Sequence, residues 1–194
     1  SSAASDVYKR QAIESLISKK SNDESVSYSI DSLQISLKYF HSFLKNPSNE
    51  NTCAMLYASN LAGKAISISK TTAPHAVSYP FTSIFNISHG HAVSLTLSKF
   101  LFFNYSNIDL SNCNFNLKDR FKIIFDLTKT NNINDLKNYI DKLTEKAKLE
   151  NKFDKLGINI NNSVDKILSD VNEQRLSNNP IKIEKKIIRS ILLT

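Results

Sequence analysis

The sequence predicts an all-α domain, and three observations carry that prediction. Glycine is scarce, with only Gly63, Gly90 and Gly157 in 194 residues. A nucleotide-binding α/β domain spends several glycines on tight turns and phosphate loops, so this composition argues against one. Four prolines and few glycine-containing turn dipeptides argue equally against a β-sandwich or barrel. Apolar residues recur at helical spacing along the chain, and at 41% hydrophobic there is enough apolar material for one domain with a core of its own.

The elements follow in order. Residues 12–19 read as the end of a helix. Asn22 and Asp23 can cap the next one, whose apolar positions Val26, Ile30, Leu33, Leu37, Phe40 and Leu44 form a single stripe that Asn46-Pro47 stops. Asn49 or Asn51 opens a third helix through Met55, Leu56, Leu61 and Ile66. Gly63 inside it costs about 1 kcal/mol relative to Ala, which predicts a close backbone contact there. Thr71-Thr72-Ala73-Pro74 reads as a helix start, with a Thr cap and a proline in the first turn, where its missing N–H does no harm. Residues 75–85 read as a buried helix. A second buried helix runs from His89 or Gly90 to about Phe103. After a polar loop, Leu117, Phe121 and Ile124 mark one amphipathic helix, and Ile133, Leu136, Ile140, Leu143 and Ala147 mark another. Gly157 suits the left-handed position that ends a short helix. Val164, Ile167, Leu168 and Val171 form one more stripe, and a last helix occupies about 183–192. The total is eight or nine helices in one domain, without internal repeat or linker.

Charge and cysteine usage narrow the partners. The net charge is +7, but the lysines are interspersed with Asp, Glu and Asn. No basic face with interleaved aromatics marks a nucleic-acid site, so a solvated helix surface and no nucleic-acid partner are expected. Cys53 and Cys113 have neither metal-ligand spacing nor a disulfide framework and read as cytosolic thiols. The longest apolar stretch, 92–103, is too short to span a bilayer, and no signal peptide precedes it. The expected location is cytoplasmic, with no membrane association.

Chemistry concentrates in residues 71–93. This run holds three of the four histidines and contains no Asp, Glu, Lys or Arg. His75 and His89 stand 14 positions apart, each beside a predicted helix start. A helix of about ten residues advances roughly 15 Å, and about five extended residues can return that distance. The two imidazoles can therefore converge, and a neutral imidazole is a common ligand for Fe or Zn. Two buried structural histidines would show the same spacing. His91 points elsewhere by its spacing from His89, and His41, among Lys38, Ser42 and Lys45, receives no role.

These residues resemble the signature of iron-containing alcohol dehydrogenases, in which a small-residue helix precedes a His, followed by a buried helix and "PHG". The counterparts are residues 58–63, then His75, then Ser88-His89-Gly90. Ala12-Ile13-Glu14-Ser15 resembles the tail of the family's Asp-Ala-x-x-His-Ala-Ile-Glu motif. Arg175-Leu176 with Asn178-Asn179-Pro180 resembles its closing segment. The resemblance implies the helical C-terminal half of such an enzyme, residues 12–194, with a divalent metal, Fe2+ or Zn2+, held by one Asp and three His. His75 and His89 match the last two ligands. Gln11 falls where the first His would be, and Val7 where the Asp would be. It further implies NAD(H) or NADP(H), bound mainly by a nucleotide-binding domain outside this sequence, and hydride transfer between that cofactor and a small alcohol or aldehyde. Tyr79, four residues after His75, stands where many members have a His, which implies a hydrogen-bond donor to a substrate, with a core tyrosine as the alternative. The run from Lys64 through Lys70, Thr71 and Thr72 is similar to members that reduce phosphonate-bearing aldehydes, which makes those four residues candidate substrate contacts. A lysine near a helix start suits a phosphonate or carboxylate; solvated lysines are the alternative.

Residues 6–11, Asp-Val-Tyr-Lys-Arg-Gln, look like the translation of a sequencing adapter, so residues 1–11 are expected to be artefact, with Gln11 belonging either to the adapter or to the protein. A fragment of this kind is expected to be inactive alone. It would also expose a cleft face, favouring association, a homodimer being one form. A glycerol dehydrogenase-like or dehydroquinate synthase-like enzyme half and a non-catalytic helical interaction module stay open as alternatives.

Overall fold

The computed structural model describes the backbone of residues 2–194 and side chains from residue 8 onward. The side chains of residues 1–7, where most of the expected adapter and the position of Val7 fall, lie outside that description. Among the described residues there are helices and turns but no strand.

Among the described residues eleven α-helical segments follow one another: α1 (Ser2–Ile17), α2 (Asp23–Lys45), α3 (Asn49–Ser69), α4 (Ala73–Phe85), α5 (His89–Ser94), α6 (Leu97–Ser106), α7 (Leu117–Thr128), α8 (Ile133–Lys146), α9 (Ile160–Ser169), α10 (Glu173–Leu176) and α11 (Lys185–Leu193). The count exceeds eight or nine for two reasons. The single helix expected from residue 89 to 103 breaks at Leu95-Thr96, where Thr96 leaves helical geometry (φ −127°, ψ −14°). A four-residue helix, α10, also forms between the two C-terminal stripes. The short helix expected before Gly157 is a series of turns that ends, as expected, with Gly157 at φ 72°.

Local chemistry sets most boundaries. Asn22 caps α2 in a reciprocal box with Ser25. Ser48, rather than Asn49 or Asn51, caps α3. Gly63 does not mark a close contact: a Cβ there would meet nothing within 4 Å, and the residue is exposed. Thr72 stands at the cap position of α4 without capping it, because its hydroxyl is used elsewhere.

Pro80 lies inside α4 and cannot donate to the carbonyl of Ala76. The backbone N–H of Asn172 takes that acceptor at 3.3 Å. Asn172 is the N-cap of α10, so the gap left by Pro80 docks α10 against α4.

Two apolar clusters make the core. One gathers Ile13, Leu16, Leu33, Phe121 and Leu136 from α1, α2, α7 and α8. The other gathers Phe81, Ile167, Ile188 and Leu192 from α4, α9 and α11. Helix α6 serves both, giving Leu97 and Leu101 to the first and Phe100 to the second. The start of α4 lies where the two meet. No helix among the described residues is long and apolar enough to cross a membrane.

Candidate metal and substrate site

Helix α1 places Glu14 in the interior, fully buried in an otherwise apolar stretch. Its Oε1 accepts from the Thr72 backbone N–H at 3.2 Å and from the Thr72 hydroxyl at 2.8 Å. Its Oε2 meets Nδ1 of His75, which is itself buried in the first turn of α4. Burial alone would push the Glu14 carboxyl up. The electrostatic attraction of the His75 ring and the hydrogen bonds from His75 and Thr72 outweigh it and hold the carboxyl below its ordinary value.

A carboxylate on Nδ1 fixes the proton there and leaves the Nε2 lone pair free, the arrangement found behind metal-binding histidines. His75 Nε2 is buried and has no hydrogen-bond partner among the described residues. Leaving such an atom unpaired costs about 1–3 kcal/mol, so an external ligand of that nitrogen is the physically sensible occupant.

The three-residue return from α4, residues 86–88, brings His89, at the start of α5, against His75 with ring centroids 5.1 Å apart. His89 Nδ1 lies 3.3 Å from the Ser78 hydroxyl, which spends its own proton on the His75 carbonyl at 2.7 Å. Desolvation first, then the neighbouring His75 and Arg175, push the His89 pKa down and favour the neutral ring that a metal needs. The pair therefore fits a cation with two nitrogen ligands. Among the described residues no third His, Cys, Asp or Glu joins it.

Gln11 is half-buried in α1, three residues before Glu14 and so on a neighbouring part of the same helix face. Tyr79 is 36% exposed, with its ring 5.8 Å from that of His89. Lys64 lies over the ring of Tyr28, 5.6 Å from its centroid, on the outer side of α3. Lys70 lines a cavity and donates to Ser67 O at 2.7 Å. Thr71 is buried and accepts from Arg175 at 2.6 Å, and Thr72 serves Glu14. His91 turns away to the carbonyl of Glu150 at 2.6 Å. Cys53 and Cys113 are free thiols outside this group.

Sequence reasoning assigned no role to Glu14 or Arg175. Glu14 carried a signal: a lone carboxylate within Ala12-Ile13-Glu14-Ser15-Leu16-Ile17 must find partners once that face is buried. Arg175 carried none beyond its place in the closing segment.

An all-helical domain with a carboxylate-backed histidine pair at its helix junction points to the helical half of a dehydrogenase-type fold. The chain belongs to the Fe-containing alcohol dehydrogenase family, whose C-terminal domain it matches over residues 10–194. Over 53 residues it is 38% identical to phosphonoacetaldehyde reductase from Streptomyces viridochromogenes, covering 27% of this chain and 13% of that protein. Sulfoacetaldehyde reductase from Bifidobacterium kashiwanohense, solved in complex with NAD+, superposes with a TM-score of 0.81 at 23% identity, covering 99% of this chain and 49% of that one. Alcohol dehydrogenase from Oenococcus oeni superposes with a TM-score of 0.85 at 19% identity, covering 99% and 50%. The chain thus spans about half the length of these solved structures. At these identities the superpositions speak for the all-helical fold.

Proposed function

We propose that this chain is the metal-binding part of an NAD(P)-linked alcohol dehydrogenase or aldehyde reductase. The observation that carries this reading is the buried, unpartnered Nε2 of His75, with Glu14 on Nδ1 and His89 alongside. Iron or zinc held by His75 and His89 would supply Lewis-acid polarisation of a carbonyl, and a nicotinamide cofactor the hydride. Glu14 holds the Nδ1 proton and so the ring orientation, while Ser78 restrains His89. The burial of His75 keeps water from its far side. Tyr79 stands at the exposed rim, where its hydroxyl can donate to a substrate oxygen. Gln11, on the Glu14 face of α1, is the remaining candidate ligand. The phosphonate-bearing aldehyde named for the Streptomyces relative supports an anionic aldehyde as substrate.

Titration of the chain with Zn2+, and with Fe2+ under anaerobic conditions, tests the metal reading. One equivalent should bind, and His75→Ala or His89→Ala should weaken binding at least 100-fold. Absence of stoichiometric binding would favour the non-catalytic helical module.

A further inference from the structure

A concavity opens beside Thr71, next to the Thr72 that serves Glu14. It has a volume of about 530 Å³, and Lys20, Gly63, Lys70, Thr71, Arg175 and Asn178 are among its lining residues. The ends of three helices meet there: α1 before Lys20, α3 before Lys70, and α10 carrying Arg175. Three cationic residues line one space, and among the described residues no Asp or Glu lines it. The helix ends offer only partial negative charge and Lys70 spends one donor on the Ser67 carbonyl, so the cationic surplus of the lining favours an anionic occupant.

The cavity is built rather than incidental. Asn178 is buried, and its amide donates to the Ser18 hydroxyl at 2.7 Å and to the carbonyls of Ser69 and Thr71 at 2.8 and 3.0 Å. Its Oδ1 accepts from the Lys20 backbone N–H at 3.2 Å. One side chain, just past α10, thus ties the ends of α1 and α3 together. Lys70 is held at φ 59°, ψ −179°, a conformation that strongly prefers glycine. Gly63 adds no side chain, and the space its Cβ would occupy is open.

Arg175 joins this cavity to the reacting centre. It spends one of its five donors on Thr71, and its guanidinium lies 5.2 Å from the ring centroid of Tyr79. Tyr79 in turn faces His89 at 5.8 Å. A guanidinium fork matches an oxyanion through paired hydrogen bonds.

We infer that Arg175, with Lys20 and Lys70, seats the phosphonate or sulfonate group of a short aldehyde whose carbonyl reaches the His75–His89 pair. The inference rests on the reading of that pair as the reacting centre, but the anion seat can be tested apart from it. Ethylphosphonate and ethanesulfonate carry the anion without a carbonyl. Titrated separately into the metal-free chain and followed by amide chemical shifts, at least one should saturate and move the Lys70, Thr71 and Arg175 amides. The tighter of the two identifies the substrate's anionic group. Arg175→Met and the independent, exposed Lys20→Met should each weaken that binding at least tenfold, with circular dichroism unchanged. Lys64→Met should leave it unaltered. Saturation by neither anion, or equal binding by wild type and Lys20→Met, would overturn the anion seat. A chain that binds the anion but no Zn2+ or Fe2+ would instead sink the metal reading and leave the seat standing.

Discussion

Glu14 concentrates more of the site's physics than any other side chain. A carboxylate with no solvent exposure survives in the interior only because His75 and both donors of Thr72 surround it. Glu14→Gln keeps the shape but presents an amide to three donors, so at least one clash or unmet donor results. We expect a loss of about 1–3 kcal/mol in urea denaturation. Zn2+ affinity should fall about 10–100-fold, because the imidazole loses the partner that sets its proton. Unchanged Zn2+ affinity would show that Glu14 is a packing residue. The histidines were legible in the sequence because they stand in a stretch without charged residues, where a polar ring requires a partner. The partner itself was not, because it lies 61 positions away and only folding brings α1 to the start of α4. Thr72 was misread for a related reason: a threonine before Ala-Pro suits a cap, and the buried carboxylate claims its hydroxyl first.

At the scale of elements, periodicity served well wherever a helix shows one apolar face. The Asn46-Pro47 stop and the left-handed Gly157 stand as read, while of the α2 stripe only Leu33 and Phe40 are fully buried, beside a row of buried serines, Ser25, Ser29, Ser32 and Ser36. It failed where tertiary partners set the geometry. Thr96 interrupts a mostly apolar run that looks continuous, and Pro80 docks α10 through an acceptor that no local pattern reveals. The end of α3 makes a specific prediction. Lys70 occupies a backbone region that costs a non-glycine residue about 1–3 kcal/mol. Lys70→Gly relieves that strain against about 0.5–1 kcal/mol of added chain entropy in the unfolded state. It should therefore raise the urea midpoint by an amount equivalent to about 1 kcal/mol, whereas Lys70→Ala should bring no such gain. If Ala stabilises as much as Gly, the lysine charge and not the backbone is the source of the cost.

At the scale of the molecule, the two apolar clusters meet at a narrow polar seam. Glu14 reaches from α1 into the start of α4, and Asn178 joins the ends of α1 and α3 to Thr71. The clusters themselves supply most of the burial, but this seam decides how they sit relative to one another, and so whether His75 stays sealed. Asn178→Ala leaves the buried carbonyls of Ser69 and Thr71 without that donor and should cost about 1–3 kcal/mol. A comparable loss can be produced inside one cluster by Ile167→Val, which typically costs about 0.5–1.5 kcal/mol. The two variants should differ in where protection is lost. Ile167→Val lowers global stability and should accelerate exchange mainly among the slowest core amides. Asn178→Ala should additionally open the seam below global unfolding, so that the Thr72 amide, which donates to Glu14, exchanges faster than the amides of α2 and α8. Matched exchange profiles in the two variants would mean that the clusters unfold as one unit and that Asn178 only adds stability. A selective loss at Thr72 would show that the same amide that shapes the cationic cavity also holds the two halves of the domain in register around the histidine pair.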